Sequence, residues 1–286
     1  MTKIITGICL FLLLSAQIVF CAEKSGEVAV ENKVDRVAAM EQKLAQLLGP
    51  EPHAGLAATD PEFIAIRDRL VFGEIMDSGS LGAKQQELVS LAGLTAIGAS
   101  AAIRTHVGVA LKGGASPLEI REAIYQVTPY VGFPAAVEAL EAMNVALESR
   151  GVKLPLPAQG TVTETSRFAD GLAVQKKIFG AEHIEKMQAN APAGQQEIVT
   201  NYLSAFCFGD FYTRKALDLK MRELLTFSAI VALGGCDPQA RAHAGANISV
   251  GNSKQNLVDC LATLLPLIGF PKTLNGLAAV NAAVTE

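Results

Sequence analysis

The sequence predicts an all-α protein built as a tandem repeat of two helical units, and three observations lead there. Half of the residues are hydrophobic but only 6% are aromatic, so the core must be made of Ala, Leu, Val and Ile. Those residues suit closely packed helices, and long alternating β-branched runs are missing. The third observation is a stretch that occurs twice. Its first copy is Glu87-Leu88, then Ile103-Arg104-Thr105-His106, Gly114 and Pro129-Tyr130-Val131-Gly132-Phe133-Pro134. Its second is Glu223-Leu224, then Ala240-Arg241-Ala242-His243, Gly251 and Pro266-Leu267-Ile268-Gly269-Phe270-Pro271. The two histidines lie 137 residues apart, as do the two last prolines, whereas the glutamates are separated by 136. One residue has therefore entered the second copy, near Gly234-Gly235. A period this long marks two copies of one supersecondary unit, packed about a pseudo-two-fold axis.

The N-terminus reads as an export leader. Lys3 is a minimal basic region, and residues 4–20 form an apolar stretch broken by Gly7, Ser15 and Gln17. The stretch falls short of the roughly 20 apolar residues a membrane span needs, and Val19-Phe20-Cys21 offers a cleavage site. The expected layout is a signal peptide at 1–21, a first repeat at 22–150, a linker at 151–160 and a second repeat at 161–286. The mature protein is expected to be periplasmic or secreted, with no membrane attachment after cleavage. A net charge of −4 and a pI near 5.7 carry no nucleic-acid footprint. Beyond the leader the cysteines are Cys207, Cys236 and Cys260, an odd number without a CxxC pair, which is neither a disulfide scaffold nor a zinc pattern.

In chain order, residues 27–48 form an amphipathic charged segment that Gly49-Pro50 stops. Asp60-Pro61 predicts a helix start, with Phe63, Ile66, Leu70 and Val71 on one apolar stripe. A helix from about Lys84 carries Glu87, Gly98 marks a bend, and the next helix carries His106. Ser116-Pro117-Leu118-Glu119 is a capping box with proline at the first helical position. The helix it opens has Ile120, Ala123, Ile124 and Val127 on its core stripe. Leu257, Cys260, Leu261 and Leu264 fill the same places in the second copy, making Cys260 a small buried hydrophobe. Pro129 to Pro134 predicts a tight connection, and a last helix runs to about Arg150. After the linker, residues 167–180 and 182–188 read as helices, and residues 196–212 answer 60–76.

Two of the four histidines occupy equivalent places, each about twenty residues after an equivalent glutamate. On antiparallel helices joined by a short bend, Glu87 can meet His106 and Glu223 can meet His243. A carboxylate–imidazole pair fixes a tautomer and moves a proton at neutral pH. It can equally be a buried tie between two helices. The positions four and seven before each histidine share its face: Ala102 and Ala99 in the first copy, Gln239 and Cys236 in the second. His53 and His183 have no counterparts and read as surface residues.

The run Glu-Leu, then His, then Gly-x-Ser-x-x-Glu-Ile and Tyr-x-Gly-x-Pro resembles the carboxymuconolactone decarboxylase family, which includes the alkylhydroperoxidase D-like proteins. Asp218-Leu219-Lys220-Met221-Arg222-Glu223-Leu224 is similar to that family's entry into the glutamate helix. The resemblance implies two alkylhydroperoxidase D-like units and two candidate chemistries. In peroxidase-type members a CxxC pair on the histidine helix does the work. Here Ala99 and Ala102 replace both thiols in the first copy, and Gln239 replaces the second one beside Cys236, so a two-thiol cycle cannot run within either motif. Decarboxylase-type members need no metal or organic cofactor. They lose CO₂ from an acidic lactone and protonate the carbanion-like product, for which His106 with Glu87 and His243 with Glu223 would be the acid/base pairs.

The leading expectation is thus cofactor-independent, decarboxylase- or lyase-type chemistry on a small carboxylated or lactone-like molecule. Peroxiredoxin-type reduction through Cys236 is the alternative, and an oligomeric binding protein without chemistry is a third reading. Arg104 and Arg241 correspond but sit two residues from each histidine, on another helix face. Lys84 and Lys220, three residues before the glutamates, predict salt bridges to them. The resemblance implies rings, so a two-unit chain is expected to form a trimer with six pseudo-equivalent units.

Overall fold

The predicted helical stripes become helices wherever the chain is described, which in the computed structural model is residues 35–47, 54–76 and 78–284. The leader at 1–21, the beginning of the first amphipathic segment and His53 lie outside the described residues. Among the described residues there is no strand. The first half holds α1 (Arg36–Leu47), α2 (Ala54–Thr59), α3 (Pro61–Leu70), α4 (Ala83–Ala96), α5 (Ser100–Lys112), α6 (Pro117–Val131) and α7 (Phe133–Glu148). The second holds α8 (Arg167–Phe179), α9 (Ala181–Ala189), α10 (Leu219–Leu233), α11 (Asp237–Ser249) and α12 (Lys254–Ala283). Before each glutamate helix the chain winds as a wide π-type helix, a short one at Val71–Ile75 and a long one at Glu197–Tyr212.

Local sequence explains the starts and stops. Ser116 Oγ accepts from the Glu119 N–H while Glu119 Oε2 accepts from the Ser116 N–H at 2.8 Å, and Ser253 with Asn256 repeats the box. Asp60 behaves differently from the prediction. It precedes Pro61, but its carboxylate accepts from the Thr59 hydroxyl and caps nothing. The connection expected from Pro129 to Pro134 is also shorter than predicted, because α6 runs through Pro129 and breaks only at Gly132, whose φ is 83°. A proline removes a single helix bond, whereas a left-handed residue turns the whole chain. Gly269, at φ 76°, does the same in α12. By length and composition alone α12 could cross a membrane. Gly269 divides it, and Leu257, Leu261 and Leu264 of its first part fill the core.

α4 and α10 form the centre. Neither has a one-sided apolar stripe, and both are buried all round: Gln86 to Thr95 and Met221 to Ala232 are buried without interruption, with Glu87, Arg222 and Glu223 held in ion pairs. They pack on each other, and α6 of the first repeat crosses onto α10 while α12 of the second crosses onto α4. Gly93 permits the crossing, since a Cβ there would come 2.5 Å from Leu264 Cδ2. One hydrophobic core therefore contains residues of both repeats. The linker joins that core, with Val152, Leu154 and Leu156 packed against it and Arg121 donating to the Leu156 and Pro157 carbonyls.

The crossing helices are tied at equivalent points. Glu122 of α6 accepts from Arg214 in the loop before α10, at 2.8 and 2.9 Å. Its counterpart, Asp259 of α12, accepts from the Ser80 N–H and hydroxyl in the loop before α4. The outer helices α1 and α8 seat alike, because Gly73 and Gly209 let the Arg36 and Arg167 carbonyls approach where a Cβ would collide. Two further expectations change. Phe63 and Ile66 of α3 face outward rather than into the core, 64% and 61% exposed. Lys84 pairs with Glu119 at 2.9 Å and not with Glu87, since Glu119 projects from the neighbouring helix start toward it.

Candidate functional site

α4 and α5 run antiparallel about the bend at Gly98, and that brings the first pair together. His106 Nδ1–H donates to Glu87 Oε2 at 2.9 Å. A carboxylate only accepts, so the proton lies on Nδ1 and Nε2 is left for the cavity that His106 lines. Burial by itself would lower the histidine pKa. The Glu87 charge and hydrogen bond outweigh it and hold the imidazole above its ordinary value. The His106 side chain remains 23% exposed, against 7% for Glu87.

The cavity measures about 140 Å³. Phe72, Ile75, Met76 and Val109 give it an apolar wall, and Pro266 and Leu267 arrive from α12 of the other repeat. Its polar lining is Arg67, Gln86, Ser90, Thr105 and Thr263 beside the Glu87–His106 pair. Such a space, mostly apolar with a few converging polar groups, is the form of a small-molecule site. It combines a proton donor, a guanidinium and dipoles.

The second pair is assembled with the same geometry and then covered. His243 Nδ1–H donates to Glu223 Oε2 at 2.7 Å. Glu223 is fully buried, and its other oxygen accepts from the Tyr212 hydroxyl at 2.8 Å. Tyr212 in turn accepts from the hydroxyls of Tyr130, at 3.0 Å, and Thr226, at 2.9 Å. Cys207 donates weakly to Tyr130, and Gln126 donates to Thr226. The rings of Tyr130 and Phe179 stand edge-on against the imidazole, with centroids 5.6 and 5.4 Å away. Burial, with the nearby ionisable groups, raises the Tyr130 and Tyr212 pKa values well above the usual phenol range. These tyrosines are therefore neutral props.

The repeat relation shows what changed. Met76 and Leu267 at the first pair are matched by Tyr212 and Tyr130 at the second, Ser90 by Thr226, Thr263 by Gln126, and Arg67 by Leu203. Two small or flexible residues have given way to two phenols that fill the volume over the imidazole.

Cys236 sits at the start of α11, half-buried, with its thiol on the Gly234 carbonyl at 3.5 Å. The other thiols are sequestered. Cys207 and Cys260 are fully enclosed, and burial pushes both up to about 12. Cys260 lies on the α12 core stripe as expected, against the Ser228 hydroxyl. Arg104, Arg241 and His183 are exposed. Among the described residues no cluster of three or more His, Cys, Asp or Glu side chains is placed to hold a metal ion. Sequence reasoning missed Arg67 and Gln86. The available signal was the disagreement between copies, where a charged residue interrupts the α3 stripe and glutamine faces arginine across the repeat.

Comparison with known proteins places the chain in a family. Over 110 residues the chain is 28% identical to 4-carboxymuconolactone decarboxylase of Acinetobacter baylyi, an alignment covering 38% of this chain and 81% of that protein. The model of the carboxymuconolactone decarboxylase family matches twice, at residues 61–144 and 199–282. Each match contains one glutamate–histidine pair and the helix that crosses to the other repeat. The chain belongs to the carboxymuconolactone decarboxylase family, as a tandem of two of its domains.

Proposed function

We propose that the protein is a cofactor-independent lyase whose working centre is the His106–Glu87 pair, acting on a small carboxylated or lactone-like molecule. The observation that carries this is the hydrogen-bonded pair opening onto a cavity with a guanidinium in its wall. In a decarboxylation the bond to the departing carboxylate breaks, CO₂ leaves, and the electron pair stays on the adjacent carbon, delocalised into a carbonyl. His106 Nε2–H then supplies the proton that carbon needs, and solvent restores it. Glu87 holds the imidazole through Nδ1 and raises its pKa, which favours the acid form. The His243–Glu223 pair serves as a structural tie. The test is to screen the purified protein against small acidic lactones and keto acids for CO₂ release. A turnover that needs His106 supports the reading, whereas one indifferent to His106 refutes it.

The family's thiol chemistry fits poorly. A peroxide-oxidised Cys236 needs a resolving thiol, and Cys207 and Cys260 are buried and held protonated at neutral pH. Hydroperoxide consumption with a dithiol reductant is therefore expected to be slow and unchanged in Cys236→Ser. Fast turnover abolished by that substitution would make the protein a one-cysteine peroxidase.

Export and assembly complete the proposal. The leader-like N-terminus supports a periplasmic or secreted protein. Exposed apolar side chains recur at equivalent places, Phe133 with Phe270 and Val137 with Leu274, which supports burial between copies. We propose a homotrimer of mature chains. Native mass spectrometry of the exported protein is expected to show three copies of a chain beginning near Ala22. A monomer would refute the assembly, and an intact Met1 would refute the cleavage.

A further inference from the structure

We infer that the His106 cavity is a site for a small hydroxy-carboxylate, its carboxylate taken by Arg67 and its hydroxyl donated to Gln86 Oε1. The inference rests on the reading of this cavity as the working centre and names the ligand chemistry within it. Gln86 supplies the first observation. It is 2% exposed, its Nε2 donates to the Ile75 carbonyl at 3.3 Å, and its Oε1 has no partner among the described residues. Turning the amide over would set oxygen against the Ile75 oxygen, so the unpaired end is the acceptor. An unmet buried acceptor is destabilising, and a ligand O–H in the cavity that Gln86 lines would satisfy it. At the other centre Arg222 stands at the corresponding place and donates to Gln126 and to two carbonyls, and its own unpaired buried atom, Nε, is a donor rather than an acceptor.

Arg67 is the second observation. Among the described residues it is the only Lys or Arg lining the cavity. Asp68 engages its Nε and one terminal nitrogen, which leaves Nη1 without a partner among the described residues. A guanidinium edge is suited to a carboxylate. Leu203 stands at the counterpart of Arg67 in the covered centre, so the two centres differ at this position. Size sets the third condition. A cavity of about 140 Å³ suits a molecule of roughly benzene's bulk.

Titration calorimetry on the full chain separates these contacts with three probes of one size: 2-hydroxybutanoate, butanoate and butane-1,2-diol. Wild type is expected to prefer the hydroxy acid over butanoate by about tenfold, the effect of one buried hydrogen bond. Gln86→Met should make the two acids bind alike. Arg67→Gln should weaken both acids by about tenfold or more and leave the diol unchanged, with Arg67→Lys recovering part of the loss. If a variant fails to fold, the probe series on wild type still decides. Equal binding of hydroxy acid and butanoate to wild type, no binding by any probe, or undiminished acid binding in folded Arg67→Gln would overturn the inference. Tighter binding of 2-aminobutanoate would overturn the hydroxyl assignment. Binding is read without turnover, so the two proposals can fail separately. Loss of these preferences beside His106-dependent CO₂ release sinks only the ligand assignment. Intact preferences beside His106-independent release sink only the acid/base reading.

Discussion

His106→Ala is expected to lower kcat/KM for any substrate the protein decarboxylates by about 10²- to 10⁴-fold, the usual worth of a positioned general acid. His243→Ala should leave turnover near the wild-type value and instead lower stability. The contrast follows from one difference in surroundings. His106 faces an open cavity, and His243 faces the edges of Tyr130 and Phe179. Without His243 the buried Glu223 carboxylate keeps the Tyr212 hydroxyl but loses the imidazole donor, which should cost about 1–3 kcal/mol in urea unfolding. The pH profile separates the pairs further. Because Glu87 outweighs desolvation and raises the His106 pKa, the imidazolium survives above the ordinary histidine value of 6.5 and activity should fall as pH rises through the raised one. The linked stability has the same sign. It is fully present below about 6.5, the unfolded value, and is lost as pH climbs through the folded value. Equal damage to turnover from His243→Ala in a folded protein would show that both centres work.

The glutamate–histidine pairs were legible in the sequence because spacing along two antiparallel helices is a local property. So were the core stripes and the Ser116–Glu119 cap, each set within one or two turns, and the repeat, which the sequence carries as a fixed offset. What covers His243 was not legible. Tyr130 lies more than a hundred residues from His243 and arrives only because α6 crosses to α10, a consequence of packing both repeats around one core. The open acceptor on Gln86 was hidden for a related reason. A glutamine beside Glu87 reads as a polar helix position, and only the structure shows its amide half satisfied. Phe63 and Ile66 misled in the opposite direction. Their helical spacing is that of a core stripe, but an apolar face presented to solvent, or to another copy, has the same spacing.

Glu122→Ala is expected to be the most destabilising single truncation away from the cavity, by about 3–5 kcal/mol, because it leaves buried positive charge uncompensated. Glu122 has no exposed surface and lies among three guanidinium groups: Arg214 at 2.8 Å, Arg121 at 3.1 Å and Arg222 at 3.7 Å. Arg222 is itself fully buried, and burial already lowers its pKa to about 10 despite the neighbouring carboxylate. Deleting that carboxylate removes attraction and keeps the desolvation, so the loss far exceeds that of an exposed pair. Glu182→Ala provides the comparison. Its partner Lys186 lies one turn away, both side chains are mostly in solvent, and the change should stay within about 1 kcal/mol. Glu122→Gln should fall between the two, keeping an acceptor for Arg214 but not the charge. Chemical denaturation of the three variants provides the ordering. A Glu122→Ala midpoint as close to wild type as that of Glu182→Ala would mean that water reaches the three arginines. The tie between α6 and the loop before α10 would then contribute little to holding Tyr130 over His243.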